Sequence, residues 1–369
     1  MSQLKARLIE KINAEGPLTV AEYMTLCLLD PVDGYYPTRD PLGSDGDFIT
    51  APEISQMFGE VLGLWCIQSW YDLGRPERLQ LVEFGPGSGI MMSDILRAAK
   101  LETDFLNALR VTLVEVSPAL EAVQAKTLAE APCPVSWAKD LDGVEAGVTL
   151  ILGNEYFDCL PIRQFIQKDH FAGMAGWQER MVMVQDGQLS YGVSPVAISK
   201  TLQASLPEAQ SDAKNDELLE ISLTAAQVLD QLKTRCEENF TRALFIDYGP
   251  EMTEFGDTLQ ALKRHEKVGV FSDPGSTDLT ARVDFGALTQ IARKIDLPVT
   301  PAVHQREFLS KLGLELRAVN LSRAKPDAKD KIGRQLHRLT ASDEMGELFK
   351  AICFQSHGLM VPLGFRDVT

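Results

Sequence analysis

The sequence predicts an α/β fold with a doubly wound parallel sheet, and three observations support this prediction. Leu79–Phe84 is an apolar run of the kind found in strands that are buried on both faces of a parallel sheet. It ends in a glycine-rich turn at 85–89, after which a helical pattern begins at once. Further apolar runs then alternate with helical patterns to about residue 153, which is typical of strands joined by crossover helices.

The N-terminal part of the chain, residues 1–76, is predicted to be a helical lid. Residues 2–14 have the pattern of an amphipathic helix, and a loop rich in Asp, Gly and Pro follows at 30–47. The stretch Thr50-Ala51-Pro52-Glu53 has the pattern of a capping box with proline in the first turn. It predicts one continuous helix that ends near Leu73, before Gly74.

Residues 77–161 are predicted to form the first part of the core. Its strands are expected at 79–84, 111–116, 133–137 and 148–153, with helices at 90–100 and 117–130. In a fold of this class, ligands bind beyond the carboxyl ends of the strands.

Residues 162–240 break the alternation, and we interpret them as an inserted substrate subdomain. Short antiparallel strands are expected at 162–166, 181–185 and 189–193, with a turn at Asp186-Gly187. A polar segment at 199–216 and a helix at 217–238 follow. Residues 241–369 are predicted to complete the core, with strands at 243–248 and 298–303 and helices at 283–295 and 341–354.

The turn after the first core strand is suited to holding a cofactor. Gly85, Gly87 and Gly89 let the backbone bend sharply and approach a ligand closely. A dinucleotide fingerprint would need glycine where Ile90 stands, and an acid about 20 residues further on. Glu83, inside the strand, would repel a pyrophosphate but would suit an ammonium and a sulfonium. The turn therefore favours S-adenosylmethionine over NAD.

Polar residues follow the other predicted strands in an order that suits the same cofactor. A carboxylate at Glu115 can accept hydrogen bonds from both ribose hydroxyls, and one at Asp140 can accept from the adenine amino group. Asn154, Glu155 and Asp158 follow the fourth strand, where polar groups would line the pocket in which a methyl group leaves sulfur. Each of these acids taken alone is better explained as a helix cap or a solvated loop end, but four successive strand ends with suitable groups in one order favour a cofactor site.

Composition excludes several classes of function. The chain has 36 Lys and Arg against 52 Asp and Glu, a formal net charge of −16, which argues against a nucleic-acid partner. The six cysteines form no C-x-x-C pair and no metal-ligand spacing with histidine, so no metal site is expected. The chain has no apolar run of about 18 residues and no signal core. We expect a cytoplasmic bacterial protein without a membrane span.

Several further motifs occur together along the chain. They are the stretch from Gly46 to Gly59 (GDFITAPEISQMFG), EFGPGSG at 83–89, NEYFD at 154–158, IDYG at 246–249, GDTLQ at 256–260, DPG at 273–275, DLT at 278–280 and MGELFK at 345–350. On these motifs, residues 16–362 resemble the MidA-type family of class I methyltransferases, whose mitochondrial members assist assembly of respiratory complex I. Arg282 stands where many members of that family have histidine.

The resemblance implies a Rossmann-like class I methyltransferase sheet and methyl transfer from S-adenosylmethionine to a protein arginine. In mitochondrial members the acceptor is a subunit of NADH dehydrogenase, and the corresponding subunit is the first candidate partner here. A cationic acceptor needs carboxylates to orient it. Glu155 and Asp158 are the first candidates for this role, and Glu53, on the predicted lid, is the next.

The residues leave other functions open. A small-molecule methyltransferase would have the same cofactor site, and an assembly factor could bind the cofactor without essential catalysis. A dehydrogenase is disfavoured by Ile90 and by the spacing of the acids. The oligomeric state and the identity of the acceptor are not predicted.

Overall fold

The computed structural model describes residues 3–38, 50–171, 174–263 and 266–366. The predicted features at 39–49, which include the start of the motif at Gly46, lie outside this range. The helices are α1 Gln3–Glu15, α2 Val20–Leu29, α3 Tyr35–Thr38, α4 Ala51–Ile54, α5 Gln56–Asp72, α6 Ile90–Ala99, α7 Thr103–Ala108, α8 Pro118–Thr127, α9 Lys200–Gln203, α10 Leu223–Glu238, α11 Phe285–Lys294, α12 Gln305–Lys311, α13 Leu314–Ala324, α14 Lys329–Thr340 and α15 Met345–Leu348.

The strands belong to a large mixed sheet and two smaller antiparallel sheets. They are β1 Leu18–Thr19, β2 Leu79–Phe84, β3 Leu109–Val114, β4 Val135–Ala138, β5 Thr149–Asn154, β6 Arg163–Phe171, β7 Met174–Gln185, β8 Gln188–Ala197, β9 Leu218–Ile221, β10 Thr241–Tyr248, β11 Gln260–Lys263, β12 Glu266–Val268, β13 Asp278–Thr280, β14 Val303–His304 and β15 Phe349–Gln355.

The large sheet has the strand order β14-β15-β10-β5-β2-β3-β4. Strands β4, β3, β2, β5 and β10 run parallel, and β15 pairs antiparallel with β10. The order reverses between β2 and β5, because the chain first builds outward through β3 and β4 and then returns to the other side of β2. In open α/β sheets, such a reversal leaves a crevice at the carboxyl ends of the strands. The predicted doubly wound fold is confirmed.

Alternate residues of each central strand supply two separate apolar cores. On β2, Leu79 and Leu81 pack with helices α5, α6 and α12–α14, whereas Val82 and Phe84 pack with α10 and α11. Burial on both faces explains why the sequence of this strand is a nearly continuous apolar run. Glu83 shares the α5 and α6 side with Leu81 by the same alternation, and only 2% of it is exposed.

A second sheet is built from β6–β9 together with β1 from the N-terminal region. The tight turn at Asp186-Gly187 joins β7 to β8, and both residues have a positive φ, as predicted for a two-residue hairpin. Helices α1 and α2 bury Leu4, Leu8 and Met24 against this sheet and against the small sheet β11–β13. The first helices therefore pack on the antiparallel sheets rather than on the parallel one.

The predicted helix from Thr50 to Leu73 is two helices, so the prediction of one continuous element is wrong. Ser55 has extended backbone and separates α4 from α5, and its hydroxyl caps α5 by accepting a hydrogen bond from Met57 N at 3.3 Å. The side chain of Thr50 makes no capping hydrogen bond. The break lets the short α4 take its own direction while α5 packs along the sheet.

Two other predicted helices contain strands. The predicted helix at 217–238 begins as strand β9, which pairs with β6, and only Leu223–Glu238 is helical. The predicted helix at 341–354 is mostly strand β15, whose seven residues are all buried beside β10. Helices α2, α3, α7, α9 and α12–α14 were not predicted. Both segments became strands because they pair with a neighbouring strand, and a local sequence pattern does not reveal such pairing.

Helix α10 and the strands that precede it pack in different parts of the molecule, although one predicted domain, 162–240, contains both. Strands β6–β9 belong to the second sheet, whereas α10 buries Val228, Leu229 and Leu232 against the parallel sheet. Helix α10 therefore packs with the core, although it lies within the predicted insertion at 162–240.

Candidate active site

A cavity of about 280 Å³ lies beyond the carboxyl ends of β2, β3 and β5. This is the crevice that the reversal of strand order leaves open. Most of the predicted site residues line it, namely Glu53, Glu83, Gly85, Gly87, Glu115, Asn154, Glu155 and Asp158. Gly89 and Asp140 are not among the lining residues.

The glycine turn forms one end of this cavity with backbone that favours glycine. Gly85, Gly87 and Gly89 have φ values of 59°, 54° and 78°, in the left-handed region. A Cβ on Gly85 would approach Tyr156 Cδ2 to 3.2 Å. Gly89 is the N-cap residue of α6. It shapes the turn through its backbone, although it does not line the cavity. Any larger residue at Gly85 or Gly87 would strain the backbone beside the ligand.

Two buried oxygens at this end of the cavity have no hydrogen-bond partner in the described part of the chain. They are Glu83 Oε2 and Asn154 Oδ1, and both residues are at least nine-tenths buried. Burial raises the pKa of Glu83 to about 8. A buried carboxylate without a partner is costly, and a cationic donor would remove that cost. The ammonium group of S-adenosylmethionine is such a donor, so these residues and the glycine cradle fit the predicted cofactor.

The next strand end holds Glu115, which is 6% exposed. Its Oε1 accepts from Ser117 N at 2.8 Å and its Oε2 accepts from Gln124 Nε2 at 3.0 Å, so the carboxylate is fixed in place. Burial raises its pKa. The side chain that lines the cavity from β4 is Lys139, whose Nζ donates to Glu115 O at 3.1 Å. Asp140, its neighbour, is exposed and accepts from Gly143 N at 3.0 Å, where it caps a 3₁₀ turn.

Glu155 directly follows β5 and has a left-handed backbone, with φ of 52°. Its Oε1 accepts from Ala51 N at 3.1 Å and from Asn154 Nδ2 at 2.9 Å, which links β5 to the first turn of α4. Burial raises its pKa to about 7. A strained conformation in a residue other than glycine is often found where function fixes the side chain. Here it places a carboxylate beside the short helix that carries Glu53.

Asp158 lies in the same loop and is held by a buried acid on β10. Asp247 Oδ2 accepts from Phe157 N at 2.8 Å and from Asp158 N at 3.3 Å, and Asp247 is 1% exposed. Burial raises the pKa of the Asp158 carboxyl, and the charges of Asp247 and Glu155 add to the effect. Asp247 does not line the cavity, and its contacts orient the 155–158 loop from β10.

The prediction of site residues missed Tyr36, Lys139, Cys159, Asp278 and Thr280, which also line the cavity. Asp278 and Thr280 belong to the DLT motif, whose recurrence in the resembling family was the available signal. Tyr36 lies in α3, within the stretch at 30–47 that was predicted to be a loop, and no pattern distinguishes it there. Arg282, two residues beyond this motif, does not line the cavity and pairs with Glu254 at 3.0 Å.

The cavity is strongly acidic. Among its described lining residues are six carboxylates, and Lys139 is the only Lys, Arg or His. The described residues contain no group of three or more His, Cys, Asp or Glu arranged to hold a metal ion. The site can therefore hold organic cations by hydrogen bonds and charge.

Residues 61–301 match the model of the family described as "Putative S-adenosyl-L-methionine-dependent methyltransferase". The chain belongs to this methyltransferase family. It is an S-adenosylmethionine-dependent methyltransferase, and the glycine cradle and the acids at the strand ends fit that cofactor. The resemblance seen in the sequence is confirmed.

Relatives with related names cover most of the chain. The mitochondrial protein arginine methyltransferase NDUFAF7 of Danio rerio is 37% identical over 93% of this chain and 84% of its own length. The Homo sapiens protein of the same name is 35% identical over 95% of this chain and 82% of its own length. No helix that the structure describes is both long and apolar enough to cross a membrane.

A solved structure supports the choice of cofactor. A Burkholderia thailandensis protein bound to S-adenosyl-homocysteine matches this structure with a TM-score of 0.84 and 26% identity, covering 98% of this chain and 93% of its own. S-Adenosyl-homocysteine is what remains of S-adenosylmethionine after methyl transfer. The prediction of S-adenosylmethionine rather than a dinucleotide is confirmed.

Proposed function

We propose that this methyltransferase methylates an arginine side chain of a protein. The observation that carries the proposal is the acidic part of the cavity, where Glu155 and Asp158 lie on one loop and Glu53 lies on the adjoining helix α4. A guanidinium is a planar cation with five donors, and it binds best where carboxylates surround it. The relatives named protein arginine methyltransferase support the same acceptor.

The cofactor contacts follow from the same geometry. Glu83 Oε2 and Asn154 Oδ1, which have no partner among the described residues, would accept from the ammonium. The backbone of Gly85 and Gly87 would lie against the amino-acid part, and Glu115 would accept from the ribose. Asp140 does not line the cavity, so a role for it at the adenine would require a different conformation of its loop.

The bound cofactor supplies an electrophilic methyl group, whose bond to sulfur breaks, with the electron pair remaining on sulfur, as a bond to the acceptor nitrogen forms. The chain then has to position the nitrogen, exclude water and accept one proton. Glu155 is suited to the last task because its pKa, raised to about 7 by burial, lets it gain and lose a proton near neutral pH. Asp158 and Glu53 would orient the guanidinium.

We also propose that the acceptor protein is a subunit of a respiratory NADH dehydrogenase and that the antiparallel sheet β6–β9 contributes to its binding. The resemblance to the MidA-type family supports the first point. The second is supported by the position of this sheet, because its strand β6 begins two residues after Pro161, which lines the cavity.

The test compares the proteome of the source organism with and without this gene by mass spectrometry. We expect one or more arginine methylation sites to disappear in the deletion strain and to return with the wild-type gene. Glu155→Gln should bind the cofactor with an affinity close to that of the wild type and restore methylation about 100-fold less efficiently or worse, because a general base contributes about 10²–10⁴-fold. The exposed Glu130→Gln should restore it fully.

The proposal fails if the arginine-methylated peptides are the same in both strains. Full activity of Glu155→Gln on an identified acceptor would remove this residue from the mechanism and leave the acceptor class intact.

A further inference from the structure

We propose that Gln124 on α8 is a positioning residue of the cofactor site, because its buried amide holds both the glycine turn and the acid that follows β3. This inference rests on the proposed contact of Glu115 with the cofactor ribose, and it does not depend on the acceptor. Gln124 is not among the residues that line the cavity, so it acts through Gly87 and Glu115, which do line it.

Gln124 is a polar residue at a core position of its helix. It is fully buried, and the other buried residue of α8 is Leu120, four positions earlier on the same face. A Cβ on Gly89 would lie 3.5 Å from Gln124 Cα, so this face of α8 packs directly on the glycine turn. A buried amide is unfavourable unless its hydrogen bonds are made, so its partners explain why a polar residue stands here.

The amide of Gln124 has three partners, which come from three parts of the site. Its Nε2 donates to Gly87 O at 2.9 Å and to Glu115 Oε2 at 3.0 Å. Its Oε1 accepts from Trp137 Nε1, on β4, at 2.9 Å. Both hydrogens of the amide are therefore used within the site, one on the turn and one on the acid.

Trp137 fixes the direction in which the amide points. An indole nitrogen can only donate, whereas the backbone oxygen of Gly87 and an ionised carboxylate can only accept. One of the two orientations of the amide satisfies all three partners, and the other would place Oε1 against two acceptors. The indole therefore keeps both donors of Gln124 directed at the turn and at Glu115.

These contacts set the positions of the two halves of the cofactor site relative to each other. Gly87 belongs to the turn that would lie against the amino-acid part, and Glu115 is the acid that would accept from the ribose. Glu115 Oε1 is held separately by Ser117 N at 2.8 Å, so Gln124 decides the direction of the second oxygen. Without Gln124 the carboxylate should stay at the site but lose its fixed orientation, which hydrogen bonds to the ribose require.

The test compares the dissociation constants of adenosine and dideoxyadenosine, which lacks the two hydroxyls that Glu115 would bind, in NMR titrations of the protein. We expect the wild type to bind adenosine at least about tenfold more tightly, because hydrogen bonds to a charged group carry this much affinity. Gln124→Met has a side chain of similar length without donors, and it should reduce the preference to about threefold or less. A general loss of packing would weaken both nucleosides equally and would leave the preference unchanged.

A second variant and a matched control accompany Gln124→Met. Trp137→Phe removes the donor that orients the amide, so it should lower the preference for adenosine in the same direction but by less. Lys126→Met introduces the same side chain at an exposed position of α8 and should keep the preference of the wild type. If circular dichroism shows that Gln124→Met does not fold, Trp137→Phe decides the question.

A double-variant cycle tests whether Gln124 acts through both of its partners. Glu115→Ala should bind the two nucleosides equally, and the addition of Gln124→Met should not change this ratio further. The dissociation constant of S-adenosyl-homocysteine should still rise by at least about threefold on that addition, because the contact with Gly87 is lost as well. An unchanged constant would overturn the part of the inference that concerns the glycine turn.

The outcomes separate this inference from the contact on which it rests. A preference for adenosine that persists in both Gln124→Met and Trp137→Phe would overturn the role of Gln124 and leave the contact of Glu115 intact. Equal binding of the two nucleosides by the wild type, or binding of neither, would overturn both. The arginine acceptor is tested separately by the comparison of proteomes.

Discussion

Glu83 shows how a single buried residue can favour one class of ligand over another. It lies within a strand of otherwise apolar residues, is 2% exposed, and has one oxygen without a partner in the described structure. Burial raises its pKa to about 8, so the side chain is largely protonated at pH 6 and largely ionised only above its pKa. A cation binds the ionised form, and binding must therefore remove a proton at low pH.

Replacement of Glu83 should change both the affinity for S-adenosylmethionine and its pH dependence. In the wild type the affinity should rise from pH 6 to pH 8, because less energy is needed to ionise Glu83 as the pH approaches its raised pKa. Glu83→Gln should bind at least about tenfold more weakly at pH 8 and show a smaller rise. Calorimetric titration at several pH values measures both effects.

The exposed Glu130→Gln is the matched control for this change and should keep the slope of the wild type. A Glu83→Gln variant with the affinity and the slope of the wild type would mean that the ammonium is bound elsewhere.

At the scale of elements, the break between α4 and α5 places the predicted lid against the active site. Ser55 caps α5, and Gln335 on α14 donates to Ile54 O at 2.5 Å, so the end of α4 is fixed from two sides. The start of α4 then presents Ala51 N to Glu155 at 3.1 Å. One continuous helix could not satisfy both the packing of α5 on the sheet and this contact.

Ser55→Ala should destabilise the protein by about 1–2 kcal/mol. The change removes the cap on Met57 N and the hydrogen bond to Gln335 Oε1, both at 3.3 Å, in a residue that is 3% exposed. Urea unfolding followed by circular dichroism measures the effect.

Ser199→Ala removes the equivalent cap from the exposed α9 and should cost less than about 0.5 kcal/mol, because this short helix can open locally. An equal loss of unfolding free energy in the two variants would show that the cap at Ser55 stabilises the protein no more than an exposed cap does.

At the scale of the whole molecule, Arg242 joins the N-terminal and C-terminal parts of the chain through the core. It is fully buried on β10, and its guanidinium donates to Asp72 Oδ2 at 2.9 Å, to Gln355 Oε1 at 3.0 Å and to Met360 O at 2.8 Å. It therefore connects α5, β15 and the segment after β15 at the edge opposite the active site. Removal of one partner from such a pair leaves an uncompensated buried charge.

Arg242→Met should lower the free energy of unfolding by about 3–5 kcal/mol, because Asp72 is 4% exposed and loses its charge partner. The double variant Arg242→Met with Asp72→Leu should recover part of this loss, since the buried charge is then absent. Denaturant unfolding of the two variants and the wild type measures the difference.

Lys233→Met removes one member of the more exposed pair with Glu237 and should change stability by less than about 0.5 kcal/mol. A double variant no more stable than Arg242→Met alone would contradict the account of Asp72 as an uncompensated charge.

The sequence predicted the parts of the fold that depend on local patterns. Strand β2 and the turn after it were predicted with the bounds that the structure has. A strand buried on both faces is a continuous apolar run, and left-handed backbone favours glycine, so both features can be recognised in the sequence. The site residues Glu83, Glu115 and Glu155 were predicted for the related reason that strand ends meet at one edge of a parallel sheet.

The prediction failed where distant partners decide. Lys139 rather than Asp140 lines the cavity. The sequence locates the end of β4, but it does not show which of two adjacent residues faces the cavity. β15 was predicted as a helix because its seven residues are apolar enough for either structure, and pairing with β10 made it a strand.

The sequence by itself determined the class of fold, the glycine cradle and the choice of a cationic cofactor, since each follows from residues close together in the chain. Tertiary structure alone decided that Tyr36, Glu53, Asp158 and Asp278 share one cavity, because they come from two short helices, the loop after β5 and the small sheet β11–β13, which only packing brings together. The acidity of the cavity is a property of that assembly, and no segment of the chain carries it alone.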